Sequence, residues 1–158
     1  MFYRLNDHIA LRKWRYVDRA IYIKGIDHAL GIDKEEFELL LKCDGNTDLE
    51  PSQELAHLME YHYIEKCEKG HAPNSWSILH EYDNYYFPRM NLMITGKCNL
   101  NCLHCFNAKD NAPLNSELSY EDVINILDQA SGIGIHAFTL TGGEPLVHRR
   151  FLDIVKAI

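Results

Sequence analysis

Apolar residues along this chain fall into two patterns, separated by a polar, irregular stretch. In the first half, Ile9–Trp14 and Ala20–Ile23 are short runs that read as strands, joined by a polar turn around Val17-Asp18-Arg19. A third short strand is expected near His28–Leu30. A helix start follows. Asp33 is a capping residue, Glu36 three positions later can reach back, and Ile32 and Phe37 occupy the staple positions. Phe37, Leu40 and Leu41 supply an apolar face, and Gly45 suits the exit. Thr47-x-x-Glu50 ahead of Pro51 marks a second helix start, with Leu55, Leu58, Met59 and His62 along one face beyond it. Tyr63-Ile64-Glu65 extends towards a wing strand before Gly70. Strands, then helices, then a wing describe a small α+β, winged-helix-like module.

The most irregular stretch runs from Gly70 to Tyr86, and Pro88 precedes a clear apolar strand. A boundary there divides the chain into residues 1–87, a module with its linker, and residues 88–158. The second half reads as strand, loop, helix, strand. Met90–Thr95 suits a buried strand. Ser119 caps a helix whose first turn holds Glu121 and Asp122, and Val123, Ile126, Leu127 and Ala130 form its buried stripe. Gly132 or Gly134 ends it, and His136–Thr141 forms a second strand that runs into Gly142-Gly143-Glu144-Pro145. A last helix is expected over Phe151–Ile158. A strand–helix–strand unit of this kind is normally parallel with a right-handed crossover. The loop after the first strand and the turn after the second then share one edge, where α/β barrels keep their chemistry.

Composition narrows the function. The chain has 158 residues, a formal charge of −7 and 46% hydrophobic residues, so a globular fold is expected. Residues 1–87 carry 10 basic and 16 acidic side chains, residues 88–158 carry 6 and 7. Neither half has the basic excess of a nucleic-acid binder. The first residues lack a signal-peptide pattern, and no stretch of about 18 apolar residues occurs, so a cytosolic protein without a membrane span is expected. In that compartment the five cysteines are reduced, and a close triplet points to a metal site rather than a disulfide framework.

Cys98-Asn-Leu-Asn-Cys102-Leu-His-Cys105 places three thiols on one compact loop. Soft thiolates on such a loop suit three corners of an iron–sulfur cube and leave one iron open for a ligand. A structural zinc site is the alternative, but it normally takes four protein ligands, and His104, Cys43 and Cys67 are poor fourth candidates. Gly142 and Gly143 allow a ligand close to the backbone, and the carboxylate of Glu144 can receive an ammonium group. Cys43 and Cys67 read as ordinary thiols. Trp14, Trp76 and Tyr85 read as core or interdomain packing. Of the nine histidines, only His104 falls on a motif.

Cys-x-x-x-Cys-x-x-Cys after one strand and Gly-Gly-Glu-Pro after the next resemble the radical S-adenosylmethionine (SAM) superfamily. The resemblance implies a partial TIM-type α/β barrel, with Cys98, Cys102 and Cys105 holding a [4Fe–4S] cluster and SAM chelating the fourth iron. Gly142, Gly143 and Glu144 would hold the SAM amino group. His104 stands where an aromatic residue usually contacts the adenine, a less common choice. The implied reaction is one-electron cleavage of SAM to a 5′-deoxyadenosyl radical, with an electron donor such as a flavodoxin or ferredoxin. A barrel takes about 200 residues or more, so the chain is expected to be an amino-terminal fragment, inactive by itself.

Residues 1–70 resemble, more loosely, the RiPP recognition element, a winged-helix module that binds leader peptides of ribosomally made, modified peptides. The resemblance rests on the order of elements: strands, a helix ending at Asp44-Gly45, and two further helices. It implies a precursor peptide added as a strand beside Asp27–Gly31 and against Ser52–His62. The expected function is modification of such a peptide. The alternatives are a radical SAM enzyme acting on a protein or small molecule, and a peptide-binding module with an inactive barrel stub.

Overall fold

The computed structural model describes residues 1–105 and 116–158, in two compact units, Met1–Tyr86 and Phe87–Ile158. Among the described residues, no helix is long and apolar enough to cross a membrane.

The first unit is built on two sheets and two helices. Strands β1 (Phe2–Leu5), β2 (Ile9–Trp14), β3 (Val17–Ile23) and β4 (Leu30–Gly31) precede helices α1 (Lys34–Lys42) and α2 (Gln53–Glu60), and β5 (Ile64–Cys67) and β6 (His80–Tyr82) follow. β1 pairs antiparallel with β5, and the second sheet has the order β4-β3-β2-β6. Tyr3 and Leu5 of β1, Ile9 and Leu11 of β2, Phe37 and Leu40 of α1 meet in one core. Asp33 caps α1 as expected, accepting the Glu36 N–H at 2.8 Å.

Several elements depart from the sequence pattern, each for a local reason. The hairpin turn is at Arg15-Tyr16, not Val17-Asp18-Arg19, because Trp14 and Val17 pair directly and carry the ladder to the turn. Ser52 caps α2 instead of Thr47, its hydroxyl accepting the Leu55 N–H at 3.3 Å. Thr47 closes a turn on the Asp44 carboxylate, with its N–H at 2.7 Å and its hydroxyl at 3.1 Å. One helix, not two, follows Gly45 in this unit. His62 lies outside it at φ 58°, a left-handed backbone that turns the chain into β5.

The stretch from Gly70 to Tyr86 is not a free linker. Arg12 is 1% exposed, and its guanidinium donates to the carbonyls of Leu11 (2.8 Å), Ile78 (3.1 Å) and Trp76 (2.9 Å). β6 runs parallel to β2, and Trp14 stacks on Tyr82 with ring centroids 5.5 Å apart. The buried cation thus holds the carbonyls of Trp76 and Ile78 just ahead of β6, and the polar edge strand pairs beside them, a requirement that periodicity does not register. Tyr85, read as packing, is half exposed.

In the second unit, β7 (Met90–Thr95) and β8 (Phe138–Gly142) pair in parallel, with Leu92 opposite Leu140. Helix α3 (Tyr120–Gly132) connects them. A full capping box starts it: Ser119 Oγ accepts the Asp122 N–H at 3.0 Å and the Asp122 carboxylate accepts the Ser119 N–H at 3.3 Å. A 3-10 turn, Pro145–Val147, leads to α4 (Phe151–Ala157). Leu92 and Ile94 pack against Val123, Leu127 and Ile154, so strand and helices cover one another, and both strands end at the same edge.

Removal of the buried cation isolates the strap. Arg12→Ala leaves three carbonyls without their donor, a loss of about 2–3 kcal/mol. Both tryptophans, Trp14 and Trp76, lie in the first unit. A urea titration followed by tryptophan fluorescence should therefore show a lowered midpoint for that unit, and an unchanged midpoint would contradict the account.

Candidate active site

Two loops leave the shared edge of β7 and β8. The first carries the cysteines. Its outgoing limb is Thr95-Gly96-Lys97, and its return limb, Ser116-Glu117-Leu118, comes back beside it. Gly96 N–H donates to Ser116 O at 2.8 Å, and Leu118 N–H donates to Ile94 O at 3.0 Å. Across the neck, Glu117 accepts from Lys97 Nζ at 3.2 Å and from the buried Thr95 hydroxyl at 3.4 Å. Partial burial works to raise the Glu117 carboxyl, but the hydrogen bond and charge of Lys97 prevail and hold it below the usual carboxylate range.

Cys98, Cys102 and Cys105 are all exposed. Leu100 N–H donates to Cys98 Sγ at 3.3 Å, and Cys105 N–H donates to Cys102 O at 3.2 Å, closing the turn that carries His104. His104 is exposed within that turn. Among the described residues, no three His, Cys, Asp or Glu side chains are gathered in a metal-binding arrangement. The three thiols therefore share one loop, but their sulfurs do not converge on one point.

The second loop, Gly142-Gly143-Glu144, is pressed onto the first. Gly143 N–H donates to Thr95 O at 2.8 Å, and Glu144 N–H donates to Lys97 O at 2.9 Å. A Cβ on Gly142 would stand 2.0 Å from Thr95 O, and its φ of +151° already favours glycine. A Cβ on Gly143 would stand 2.2 Å from Lys97 O and 2.9 Å from Cys98 Cβ. Both glycines are thus required by backbone-to-backbone contact, one of them at the first cysteine itself. Glu144 accepts the Leu146 N–H at 3.0 Å. A carboxylate has two oxygens and about four acceptor sites, so this bond leaves capacity for an ammonium group.

The donor set fits the cofactors that the motif implies: three soft, accessible thiols on one loop, with a glycine turn and a carboxylate against its root. Thr95, Lys97, Glu117 and His148 join the site without having stood out in the sequence. Their signal is tertiary, since Glu117 lies twenty residues after Lys97 and meets it only at the loop neck.

Comparison with known proteins agrees. Residues 92–158 match the model of the Radical SAM superfamily. Similar proteins include the probable GTP 3′,8-cyclase of Methanothermobacter marburgensis, 37% identical over 49% of this chain and 26% of that protein. The GTP 3′,8-cyclase of Clostridium perfringens (strain SM101) is 31% identical over 44% of this chain and 22% of its own length. The probable GTP 3′,8-cyclase of Thermococcus kodakarensis is 38% identical over 49% and 26%. The chain thus spans about a quarter of the length of these relatives. No solved structure matches it. Members of the radical SAM superfamily use a [4Fe–4S] cluster and SAM.

The five cysteines separate by environment. Cys43 is buried, and that burial, with the Asp44 carboxylate nearby, pushes its thiol up to about 12. Burial also raises the Cys67 thiol, and the other three are exposed. Alkylation of the metal-free protein at pH 8, read by mass spectrometry, should modify Cys98, Cys102 and Cys105 first and Cys43 only after unfolding. Early modification of Cys43 would show that its pocket is open.

Proposed function

We propose that the second unit binds a [4Fe–4S] cluster on Cys98, Cys102 and Cys105 and holds the SAM amino group at Gly142, Gly143 and Glu144. The observation that supports this most strongly is the close packing at Gly143, where a Cβ would stand 2.2 Å from Lys97 O and 2.9 Å from Cys98 Cβ, so the turn we assign to the ammonium group lies against the root of the cysteine loop. When bound, these cofactors supply one-electron cleavage of SAM, with the electron from a flavodoxin- or ferredoxin-like donor. The chain's part is to present three thiolates, to orient Glu144, and to offer His104 as a stacking surface for the adenine.

The substrate reading rests on the first unit. Its element order resembles a winged helix of the RiPP recognition type, and β4 ends the sheet β4-β3-β2-β6 with, among the described residues, one side not paired to a strand. An extended peptide can add there through backbone hydrogen bonds. The Ala29 N–H, one residue ahead of β4, is already taken by the Tyr86 hydroxyl at 2.6 Å, so such a strand would register on Leu30–Gly31. The second reading, a small-molecule substrate, is supported by the relatives, whose names specify a cyclase acting on GTP.

Anaerobic reconstitution should give about four irons at this site, lost on replacing any of the three cysteines with alanine; stoichiometric zinc would refute the assignment. Glu144→Gln should keep the iron and weaken SAM binding roughly ten- to a hundredfold, since a charge-assisted bond is worth about 1.5–3 kcal/mol. Titration of the protein with a precursor peptide and, separately, with GTP decides between the substrate readings. Saturable peptide binding that Gly31→Pro abolishes supports the first, and GTP binding without peptide binding supports the second.

A further inference from the structure

His148 lies four residues beyond Glu144 and is 3% exposed. Both of its ring nitrogens are engaged. Nε2 lies 2.9 Å from the carbonyl oxygen of Leu118, and Nδ1 lies 3.1 Å from the backbone nitrogen of Arg150. A carbonyl can only accept and an N–H can only donate. The network therefore assigns the neutral ring with its proton on Nε2.

These two contacts complete a closed circuit around the site. Glu144 and Gly143 donate to Lys97 O and Thr95 O on the outgoing limb of the cysteine loop. Lys97 and Thr95 reach across the neck to Glu117 on the return limb. Leu118, the next residue, accepts from His148. From His148 the chain returns to Glu144 through the 3-10 turn, stiffened by Val147 N–H to Glu144 O at 3.0 Å and His148 N–H to Pro145 O at 3.1 Å. Each link but one is made by neighbouring backbone or at the loop neck. The imidazole is the strut that joins the return limb to the far side of the Gly-Gly-Glu turn. Its second bond, to Arg150 N–H, anchors it where α4 begins, at an N-cap that makes no side-chain capping bond of its own.

We propose that His148 is a positioning residue for the cluster and SAM site: its ring locks the return limb of the cysteine loop to the Gly-Gly-Glu turn and so sets where Glu144 stands relative to Cys98. The consequence for SAM rests on the cofactor assignment proposed above, whereas the strut itself does not. An apolar side chain at position 148 leaves the part-buried Leu118 O and Arg150 N–H without this partner, and groups of this kind move to find one.

His148→Leu retains bulk and removes both bonds, while His148→Gln restores an N–H donor near the Nε2 position. In the full-length protein reconstituted anaerobically, His148→Leu should hold as much iron as the parent yet bind SAM about tenfold more weakly, the scale of one lost buried hydrogen bond. His148→Gln should recover most of that loss. In the metal-free protein, hydrogen exchange at the Gly143 and Glu144 amides should quicken in His148→Leu, with the α3 amides unchanged. Parent-like exchange at those two amides in a folded His148→Leu protein overturns the proposal, as does equal weakening by Leu and Gln. If the parent takes up no cluster, the assignment of the cysteines fails, and exchange at Gly143 and Glu144 still decides whether His148 is the strut. Should His148→Leu not fold, His148→Gln and His148→Asn replace the comparison. Gln, which reaches Leu118 O, should match the parent and Asn should exchange faster; equality or the reverse order overturns the idea.

Discussion

The second unit depends on a contact between two stretches of bare backbone. Thr95 O and Lys97 O receive the N–H groups of Gly143 and Glu144, at distances that leave no space for a Cβ at Gly142 or Gly143. A parallel strand pair delivers both segments to the same edge, but parallel pairing alone would leave their loops independent. The glycines let the loops touch, and the touch occurs one residue before Cys98. The root of the cysteine loop at Cys98 and the turn carrying Glu144 are therefore fixed relative to one another by peptide groups rather than by mobile side chains. Pre-organisation of this kind is what an electrostatic binding site needs.

Around that contact the polar groups form a ring rather than a list of pairs. The ion pair of Lys97 with Glu117 is half exposed on the lysine side and contributes little stability by itself. Its place in the circuit matters more, because it joins the two limbs of a loop whose cysteines all face solvent. The contrast with Cys43 is instructive. The same side chain, packed between α1 and β1 in the first unit, is held protonated by burial and is unsuited to metal binding. Environment, not residue type, separates a ligand from a core residue.

The first unit is organised by a different requirement. Arg12 is buried in the middle of β2, and its five donors have to be met. The chain from Trp76 to Ile78 supplies the carbonyls, and β6 then pairs where it has been brought. A polar stretch becomes structure through one cation. At the opposite end of this sheet β4 pairs with β3 and, among the described residues, with no second strand.

Much of this was legible in the chain itself. The 3.6-residue stripe of α3, its Ser119 cap and the apolar runs of β7 and β8 are local features, and local propensity acts the same way in the folded protein. The cysteine spacing and the Gly-Gly-Glu turn were legible for the same reason, since each is a short segment with its own chemistry. Elements that exist through long-range pairing were not. β1 is four residues that become a strand against β5, β6 is polar and exists through Arg12, and the end of α2 depends on the left-handed turn at His62. The sequence by itself determined which residues carry thiols, a carboxylate and bare backbone. Only the tertiary structure decided that Gly143 abuts Cys98 and that Glu117 and His148 close the circuit, because hydrogen bonds across twenty or thirty residues follow from packing and leave no periodic trace.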